Sequence, residues 1–326
     1  MLKVDHVTAS YKTLEGNVVA VEDVDFEIFD NEIFGIAGES GCGKSTMLKV
    51  LYDIIQFPLE VDSGRVILDG NRHGEPFAYT TGGISGGWWT NIAYVPQAAM
   101  SVLNPIARLK KQFLDSLPME RRSRAEEAKM LERVRAYLTE LNLSPDVLDA
   151  YPFQLSGGMR QRVIIALATF MEPQFILADE PTTALDVVVQ KGILRMLMNY
   201  QRTHENSIVI VSHDLGVHYQ ITDRIAIMYS GKVVELGRTE EIFSNPRHPY
   251  TQMLIDALPK VGDHSERIGI EGTPPSLRNP PPGCRFAPRC PKATAICSRS
   301  IPVFREVSHG HFAACHLLND GEEAQA

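Results

Sequence analysis

The segment from Gly38 to Ser45 constrains the fold of this chain more than any other part of its sequence. It reads Gly-Glu-Ser-Gly-Cys-Gly-Lys-Ser, follows an apolar run that ends at Ala37 and precedes a helix-forming stretch that begins near Lys44. A glycine-rich turn between a strand and a helix directs successive backbone N–H groups and the helix N-terminus at one point, where a phosphate binds. Pattern and context together define a P-loop, so the sequence predicts a phosphate-binding turn in an α/β domain.

The residue types in this segment assign parts of the predicted site. Lys44 supplies a mobile positive charge for the phosphates, and the hydroxyl of Ser45 is expected to bind Mg²⁺. Cys42 occupies a position that the P-loop pattern leaves free, so by itself it indicates no redox role. The residues expected to contact the nucleotide here are Gly38, Glu39, Ser40, Gly41, Cys42, Gly43, Lys44, Ser45 and Thr46.

Two acidic residues, Asp179 and Glu180, follow the apolar run Phe-Ile-Leu-Ala further along the chain. In P-loop enzymes one carboxylate at the end of a strand holds the magnesium shell, and another carboxylate can polarise the attacking water. The sequence therefore predicts Asp179 as a magnesium ligand and Glu180 as the catalytic base. Taken alone, two carboxylates after a strand are equally typical of a solvated turn.

Short apolar runs alternate with helix-forming segments along the chain, which favours a largely parallel sheet with helices packed on it. Charged, helix-prone residues at 107–143 indicate a helical subdomain, placed at about residues 100–172. Ser230-Gly231 separates two strand-like runs and predicts a hairpin turn. The predicted strands include residues 33–37, 65–68, 92–95, 175–178, 208–211 and 224–228.

Charge and hydropathy restrict the partners of the chain. The formal net charge is −8, and no long run of Lys or Arg is present, which argues against a surface built for nucleic-acid phosphates. The first ten residues do not resemble a signal peptide, and no apolar run approaches the length needed to cross a bilayer. We therefore expect a cytoplasmic chain whose membrane role depends on partner subunits.

The sequence Leu-Ser-Gly-Gly-Met-Arg-Gln-Arg, from Leu155 to Arg162, resembles the signature of ABC ATPases. The resemblance covers residues 1–258, and it implies that Ser156, Gly157 and Gly158 of one subunit close over the γ-phosphate bound to another. Many signatures have Gln where this chain has Met159, although the peptide-importer branch often resembles the form found here.

Four further residues match positions of the ABC ATPase family. Gln97 resembles the loop glutamine that touches magnesium and senses the transmembrane partner, and His213 resembles the switch histidine that contacts the γ-phosphate. Asp186 matches the loop that couples the two nucleotide sites, and Tyr11 matches the aromatic residue that stacks on adenine. The predicted catalytic residues are Lys44, Glu180 and His213.

Four of the five cysteines fall in a short C-terminal stretch: Cys284, Cys290, Cys297 and Cys315. Disulfides are unusual in a reducing cytosol, so this grouping indicates a metal site. Four thiolates are the usual ligands of a [4Fe–4S] cluster. Structural zinc remains an alternative, with His309, His311 and His316 nearby, although the close cysteine pairs typical of zinc sites are missing. Reduced cysteines that pack a small loop-rich core are a third reading.

The composition changes at residues 259–282, which are rich in Pro, Gly and charge, so we place a domain boundary there. Residues 279–291 and His248-Pro249-Tyr250-Thr251 resemble the C-terminal extension of dipeptide and oligopeptide importer ATPases. The expected fold class is α/β, a P-loop ABC ATPase domain with a mixed sheet and an inserted helical subdomain, plus a small Cys-rich loop domain. The expected domains are residues 1–258 for ATP binding, residues 259–319 for the extension, and a disordered tail at residues 320–326.

The resemblance implies an ATP-hydrolysing subunit that powers a peptide importer from the cytoplasmic face of the membrane, with ATP and Mg²⁺ as cofactors. Its expected partners are two integral membrane permease subunits, a second ATP-binding subunit and, indirectly, a solute-binding protein, with no nucleic acid. One alternative is the same class of transporter importing oligosaccharides. The other is a soluble ABC ATPase acting on nucleic acid, although such proteins often have two cassettes or coiled-coil arms, and this sequence has one cassette and no sustained heptads.

Overall fold

Strands and helices alternate along most of the chain, as the sequence predicts. The computed structural model describes residues 1–72, 75–81, 83, 88–97, 102–116, 123–258 and 269–318. Within these ranges the strands are β1 (Leu2–Thr13), β2 (Gly16–Ile28), β3 (Ile33–Ala37), β4 (Leu59–Arg72), β5 (Glu75–Thr80), β6 (Ile92–Val95), β7 (Phe175–Asp179), β8 (Ser207–Ser212), β9 (Arg224–Tyr229), β10 (Lys232–Arg238), β11 (Arg305–Ser308) and β12 (His311–Ala313). The helices are α1 (Lys44–Leu51), α2 (Leu109–Leu114), α3 (Arg124–Glu140), α4 (Gly157–Thr169), α5 (Val187–His204), α6 (Leu215–Ile221), α7 (Thr239–Ser244) and α8 (Pro249–Asp256). The predicted tail at residues 320–326, and residues 259–268 of the predicted boundary, lie outside the described residues.

The chain divides into two units, the first formed by Met1–Ser85 with Ser207–Ala326 and the second by Gly86–Asn206. The first unit contains an antiparallel sheet in the order β2-β1-β4-β5. Apolar and polar residues alternate at the start of β1, so that Leu2 and Val4 are buried while Lys3 is partly exposed. Strand β4 is much longer than the predicted residues 65–68, because its more polar half also pairs with β1.

A mixed sheet in the order β11-β12-β10-β9-β3-β8 forms the second layer of the first unit. The buried strand β3 is parallel to both β8 and β9, whereas the other pairings are antiparallel. Ser230 and Gly231 adopt φ values of 46° and 85°, which confirms the predicted hairpin turn between β9 and β10. The sheet is therefore mixed, which confirms the expected fold class, because the hairpin and the C-terminal strands add antiparallel pairs to the parallel pairs that β3 makes with β8 and β9.

The second unit combines the parallel pair β6 and β7 with helices α2 to α5. The predicted helix-forming stretch at residues 107–143 contains α2 and α3, which are separate helices. Helix α3 begins with a capping box, in which the Ser123 hydroxyl accepts from Glu126 N and the Glu126 carboxylate accepts from Ser123. No helix among the described residues combines the length and apolar character needed to span a bilayer.

Candidate functional site

The P-loop lies between the end of β3 and the start of α1. Gly43 precedes α1 with a φ of 108°, and Gly38 follows β3 with a φ of 151°. A Cβ atom at either position would collide with a backbone carbonyl oxygen, that of Ala20 for Gly43 and that of Met228 for Gly38. Glycine is therefore required at both positions, and it lets the loop curl at the helix N-terminus as the sequence predicts.

Lys44 lies folded over the loop that precedes it. Its buried Nζ donates hydrogen bonds to the carbonyl oxygens of Gly38, at 2.7 Å, and Glu39, at 2.9 Å. The ammonium is held against the backbone of the phosphate-binding turn, where a P-loop lysine is needed. Cys42 Sγ lies 3.8 Å from this ammonium, and burial raises the pKa of the Cys42 thiol. A buried thiol that stays protonated near neutral pH is a poor nucleophile.

Tyr11 is placed beside α1 by strand β1. Its hydroxyl oxygen lies 3.2 Å from Thr46 Oγ1, and the Lys49 ammonium lies 6.0 Å from the centre of the Tyr11 ring. The ring itself is only partly buried. The predicted adenine-stacking residue therefore lies next to the first turn of the helix that follows the P-loop.

His213 is brought to the P-loop by the pairing of two parallel strands. Ala37 in β3 lies opposite Ser212 in β8, so Gly38 and His213 leave the sheet at the same edge. The His213 side chain is exposed there. His218, which sequence reasoning did not identify, is fully buried with its Nε2 3.2 Å from the Ser212 carbonyl oxygen, and burial lowers its pKa to about 4. This neutral histidine fixes the end of β8 from which His213 projects.

The second unit brings together three of the predicted residues. Val95 in β6 pairs with Ala178 in β7, so the residues after these strands are neighbours. Gln97 Nε2 donates to Glu180 Oε2 at 3.1 Å, and Thr183 Oγ1 donates to the same oxygen at 2.7 Å. The buried Asp179 carboxylate accepts from the Tyr94 hydroxyl at 3.0 Å. Sequence reasoning missed Tyr94 and Thr183, which orient the two carboxylates.

The predicted signature residues begin helix α4. Ser156 is the N-cap residue, and its Oγ accepts a hydrogen bond from Met159 N at 3.3 Å. Gly157 and Gly158 form the first turn, and a Cβ atom on Gly158 would collide with the Val189 side chain. Close packing therefore accounts for glycine at this position, and the start of the helix presents its free N–H groups. Met159 is exposed.

Asp186 is the N-cap residue of α5. Its Oδ1 accepts hydrogen bonds from Val188 N at 3.1 Å and Val189 N at 3.0 Å. The carboxylate also lies at the positive end of this helix, where a negative charge is favourable. The structure thus gives Asp186 a capping contact within its own unit, which the resemblance alone did not reveal.

The four C-terminal cysteines line one narrow pocket of the first unit, together with His248, Phe286 and His316. Cys284 N donates to the Cys297 carbonyl oxygen at 2.8 Å, which joins the two ends of the segment from Cys284 to Cys297. Among the described residues, the trio of potential metal-ligating atoms within 4.8 Å of one another belongs to the exposed His6 and the partly buried Asp5 and Asp25, so no three of the cysteine sulfurs lie within that distance of one another. Tetrahedral zinc with Zn–S bonds of about 2.3 Å needs sulfurs about 3.8 Å apart.

Burial raises the pKa of three thiols in this pocket. The pKa of Cys315 reaches about 11, because the side chain is desolvated and the three other thiols would add like charge to its thiolate. Burial likewise raises the pKa of Cys284 and of Cys290. A cation bound in the pocket would offset this cost, because it stabilises the thiolate form of its ligands.

Two of the three histidines near Cys315, His309 and His311, do not line the cysteine pocket. His311 is fully buried between Glu235, at 2.8 Å, and Glu241, at 3.1 Å. His309 is exposed on the turn between β11 and β12. Of these three histidines, His316 lines the cysteine pocket, and its Nε2 lies 2.9 Å from the Ser300 carbonyl oxygen.

Phe286 anchors the cysteine-bearing segment to the core of the first unit. Its ring is buried, with ring centres 5.2 Å from Tyr229 and 5.3 Å from Tyr250. Neighbouring Arg285 is also buried and pairs with Glu22 of β2 and with the Ser230 carbonyl oxygen. Burial lowers the pKa of Arg285 to about 10. The segment is therefore packed into the same core as β9 and α8.

Two family models match the chain. The ABC transporter model matches residues 21–183, and the model of the oligopeptide/dipeptide transporter C-terminal region matches residues 234–297. The first match contains the P-loop and the strand that ends at Asp179, and the second contains three of the four clustered cysteines. The two matches therefore reach both candidate sites, with Tyr11, Asp186, His213 and Cys315 outside the matched ranges.

Curated relatives extend the similarity to the whole chain. The dipeptide transport ATP-binding protein of Bacillus subtilis is 37% identical over 99% of this chain and 96% of its own length. That of Caldanaerobacter subterraneus is 36% identical over 98% of each chain. Among solved structures, a dimeric post-hydrolysis ATP-binding cassette bound to ADP and Pi matches with a TM-score of 0.59 and 28% identity, over 73% of this chain and 99% of that chain.

The fold and the P-loop define an ATP-binding cassette. The chain belongs to the ABC transporter family, and it carries the C-terminal region that characterises the family's oligopeptide/dipeptide transporters.

Proposed function

We propose that the chain is the ATP-hydrolysing subunit that powers an ABC importer for peptides. The observation that carries this proposal is the similarity, over nearly the full length, to dipeptide transport ATP-binding proteins. The geometry supports it, because each unit presents ordered groups of the kind that phosphoryl transfer needs: a P-loop with its lysine in one, and a pair of oriented carboxylates in the other. Nothing in the similarity favours oligosaccharides or nucleic acid as the cargo or partner.

Each residue of the proposed site is assigned one role. Lys44, Ser45 and the loop N–H groups bind the phosphates, and Tyr11 stacks on adenine. Hydroxyl, amide and carboxylate oxygens of Ser45, Gln97 and Asp179 are ligands that suit Mg²⁺, which when bound neutralises the phosphate charge.

Glu180 accepts a proton from the attacking water, and Gln97 and Thr183 hold its carboxylate in place. His213 contacts the γ-phosphate. Ser156, Gly157 and Gly158 act on the nucleotide that is bound by a second ATP-binding subunit. Asp186 couples the nucleotide sites of the two subunits.

The cysteine pocket holds a [4Fe–4S] cluster in this proposal, with Cys284, Cys290, Cys297 and Cys315 as ligands. The four-cysteine donor set, together with the lack in the sequence of the close cysteine pairs typical of zinc sites, supports a cluster over a single zinc ion. Anaerobic purification followed by an optical spectrum and metal analysis tests this assignment. Absorbance near about 400 nm with about four irons per chain supports the cluster, whereas about one zinc and no colour replaces it with a zinc site.

The proposed organisation follows the sequence boundaries. Residues 1–258 form the ATP-binding domain with a helical subdomain at about residues 100–172, and residues 259–319 form the Cys-rich extension. The chain works at the cytoplasmic face of the membrane, bound to two permease subunits and a second ATP-binding subunit, with a solute-binding protein delivering the cargo.

Reconstitution of the transporter in lipid vesicles tests the proposed function. Vesicles that contain the chain, its permease partners and a second ATP-binding subunit are expected to take up a labelled dipeptide only when supplied with ATP. Replacing Lys44 with alanine in this chain is expected to reduce uptake, because the phosphates lose a charged partner. Uptake of an oligosaccharide and not of the dipeptide would overturn the proposal that the cargo is a peptide. Uptake without ATP would overturn the proposal that ATP hydrolysis powers the importer.

A further inference from the structure

Arg289 is a buried cation that joins the cysteine-bearing segment to the P-loop. Its Nη1 donates to Glu39 Oε2 at 2.6 Å and its Nη2 donates to Glu39 Oε1 at 3.0 Å, a bidentate pair. The Arg289 side chain is 4% exposed. Its Nε and Nη2 donate to the carbonyl oxygens of Glu271 and Ile270, each at 3.0 Å, and Nη1 also donates to the Tyr229 hydroxyl at 3.2 Å. The guanidinium therefore has a fixed position and orientation.

Glu39 is the second residue of the P-loop, and three side chains fix its polar groups. Its backbone N donates to the Tyr250 hydroxyl at 3.0 Å, its carbonyl oxygen accepts from Lys44 at 2.9 Å, and its carboxylate holds Arg289. A carboxylate in a phosphate-binding loop would repel a polyphosphate unless a cation neutralised it. Arg289 provides that neutralisation from 250 residues further along the chain.

The position of Arg289 depends on the cysteine-bearing segment itself. Arg289 ends a short 3-10 helix at Ala287–Arg289, and Cys290 follows it directly. Backbone hydrogen bonds from Ala287 N to the Cys284 carbonyl oxygen, at 3.0 Å, and from Cys290 N to the Ala287 carbonyl oxygen, at 3.3 Å, link the helix to two of the cysteines. A change at the cysteine pocket would therefore move the guanidinium that faces the P-loop.

We propose that Arg289 is a positioning residue for ATP binding, which acts by neutralising and holding Glu39 and so links the cysteine-bearing segment to the affinity of the P-loop for the triphosphate. This inference rests on the proposed function, since it requires that the P-loop bind ATP. A residue that served only to attach the C-terminal segment would have no charge-dependent effect on that binding.

The test measures ATP binding to the purified full-length chain by calorimetry, at low and at high salt, with melting temperatures recorded alongside. Arg289→Ala is expected to weaken ATP binding about tenfold at low salt, the effect of one uncompensated charge near the ligand. High salt is expected to reduce this deficit, because it screens the partly exposed Glu39 carboxylate. Arg278→Ala, which removes another Arg–Glu pair from the C-terminal region, is the control expected to bind ATP normally.

The double variant Arg289→Ala with Glu39→Gln separates electrostatic positioning from simple attachment. Removal of the repelling carboxylate is expected to return the affinity to within about threefold of wild type. If Arg289→Ala fails to fold, Arg289→Lys, which keeps the charge and loses the bidentate geometry, is expected to show an intermediate loss that Glu39→Gln again corrects. Unchanged affinity in the Arg289 variants, or a double variant as weak as the single one, would overturn the inference, whereas a wild-type chain that binds no ATP would overturn the proposed function instead.

Discussion

Replacing Phe286 with alanine tests whether the cysteine-bearing segment belongs to the core of the first unit. Phe286 is 1% exposed, and its ring centre lies 5.2 Å from that of Tyr229, 5.3 Å from Tyr250 and 5.9 Å from His248. Truncating a buried phenylalanine costs about 3–5 kcal/mol through lost burial and the cavity left behind. The three ring contacts favour the upper part of that range, so we expect a loss of about 4 kcal/mol in the free energy of unfolding.

Urea denaturation of the full-length chain, followed by circular dichroism under anaerobic conditions, measures this loss. Phe153→Ala is the matched control, because Phe153 is 69% exposed and its truncation is expected to cost less than about 1 kcal/mol. A loss below about 1 kcal/mol for Phe286→Ala would refute the reasoning. It would mean that the segment can leave the core without affecting the stability of the first unit.

Three further predictions follow from particular contacts. Burial lowers the pKa of His311, but hydrogen bonds to Glu235 and Glu241 outweigh burial and hold this pKa above its ordinary value of 6.5. The protonated His311 therefore stabilises the folded chain fully below about pH 6.5, and this stabilisation is lost as pH rises through the pKa of the folded state. His311→Gln is therefore expected to destabilise the chain more at pH 6 than at pH 9 in urea titrations, by about 1–3 kcal/mol, and an equal loss at both values would contradict this. Asp186→Ala is expected to cost about 1 kcal/mol of stability by removing the cap of α5, and a loss below detection in the same assay would show that the cap is not needed. Cys290→Ser is expected to lower iron content and ATP affinity together, and normal ATP binding in an iron-free variant would contradict the link through Arg289.

Local sequence patterns predicted the parts of the fold that depend on neighbouring residues. Strand β3 is bounded as predicted at Ile33–Ala37, because an uninterrupted apolar run ends at a glycine that starts the P-loop. Strand β6 and the turn at Ser230-Gly231 were predicted equally well. The C-terminal strands β11 and β12 were not, because Arg-Glu-Val-Ser and His-Phe-Ala contain no apolar run like that of β6.

The sequence predicted which residues belong to the candidate site, but it did not predict the side chains that orient them. The motif patterns identify Lys44 and Glu180, whereas Thr183, which orients Glu180, lies in no recognised pattern. The cysteine grouping predicted a metal site; the structure places the four cysteines around one pocket, and the metal itself stays a prediction. The pairing of Arg289 with Glu39 had no sequence signal at all, since tertiary folding alone joins residues 250 positions apart.

The most direct test of ATP hydrolysis by this chain, with Glu180 as the general base, compares two reconstituted transporters. One contains the wild-type chain and the other contains Glu180→Gln, and the rate of phosphate release is measured for each. Glu180→Gln is expected to retain ATP binding and to lose hydrolysis by at least about a hundredfold, because the water loses its general base. Glu132→Gln, on the exposed face of α3, is expected to leave the rate unchanged. Hydrolysis at the wild-type rate in Glu180→Gln would show that Glu180 is not the general base for ATP hydrolysis.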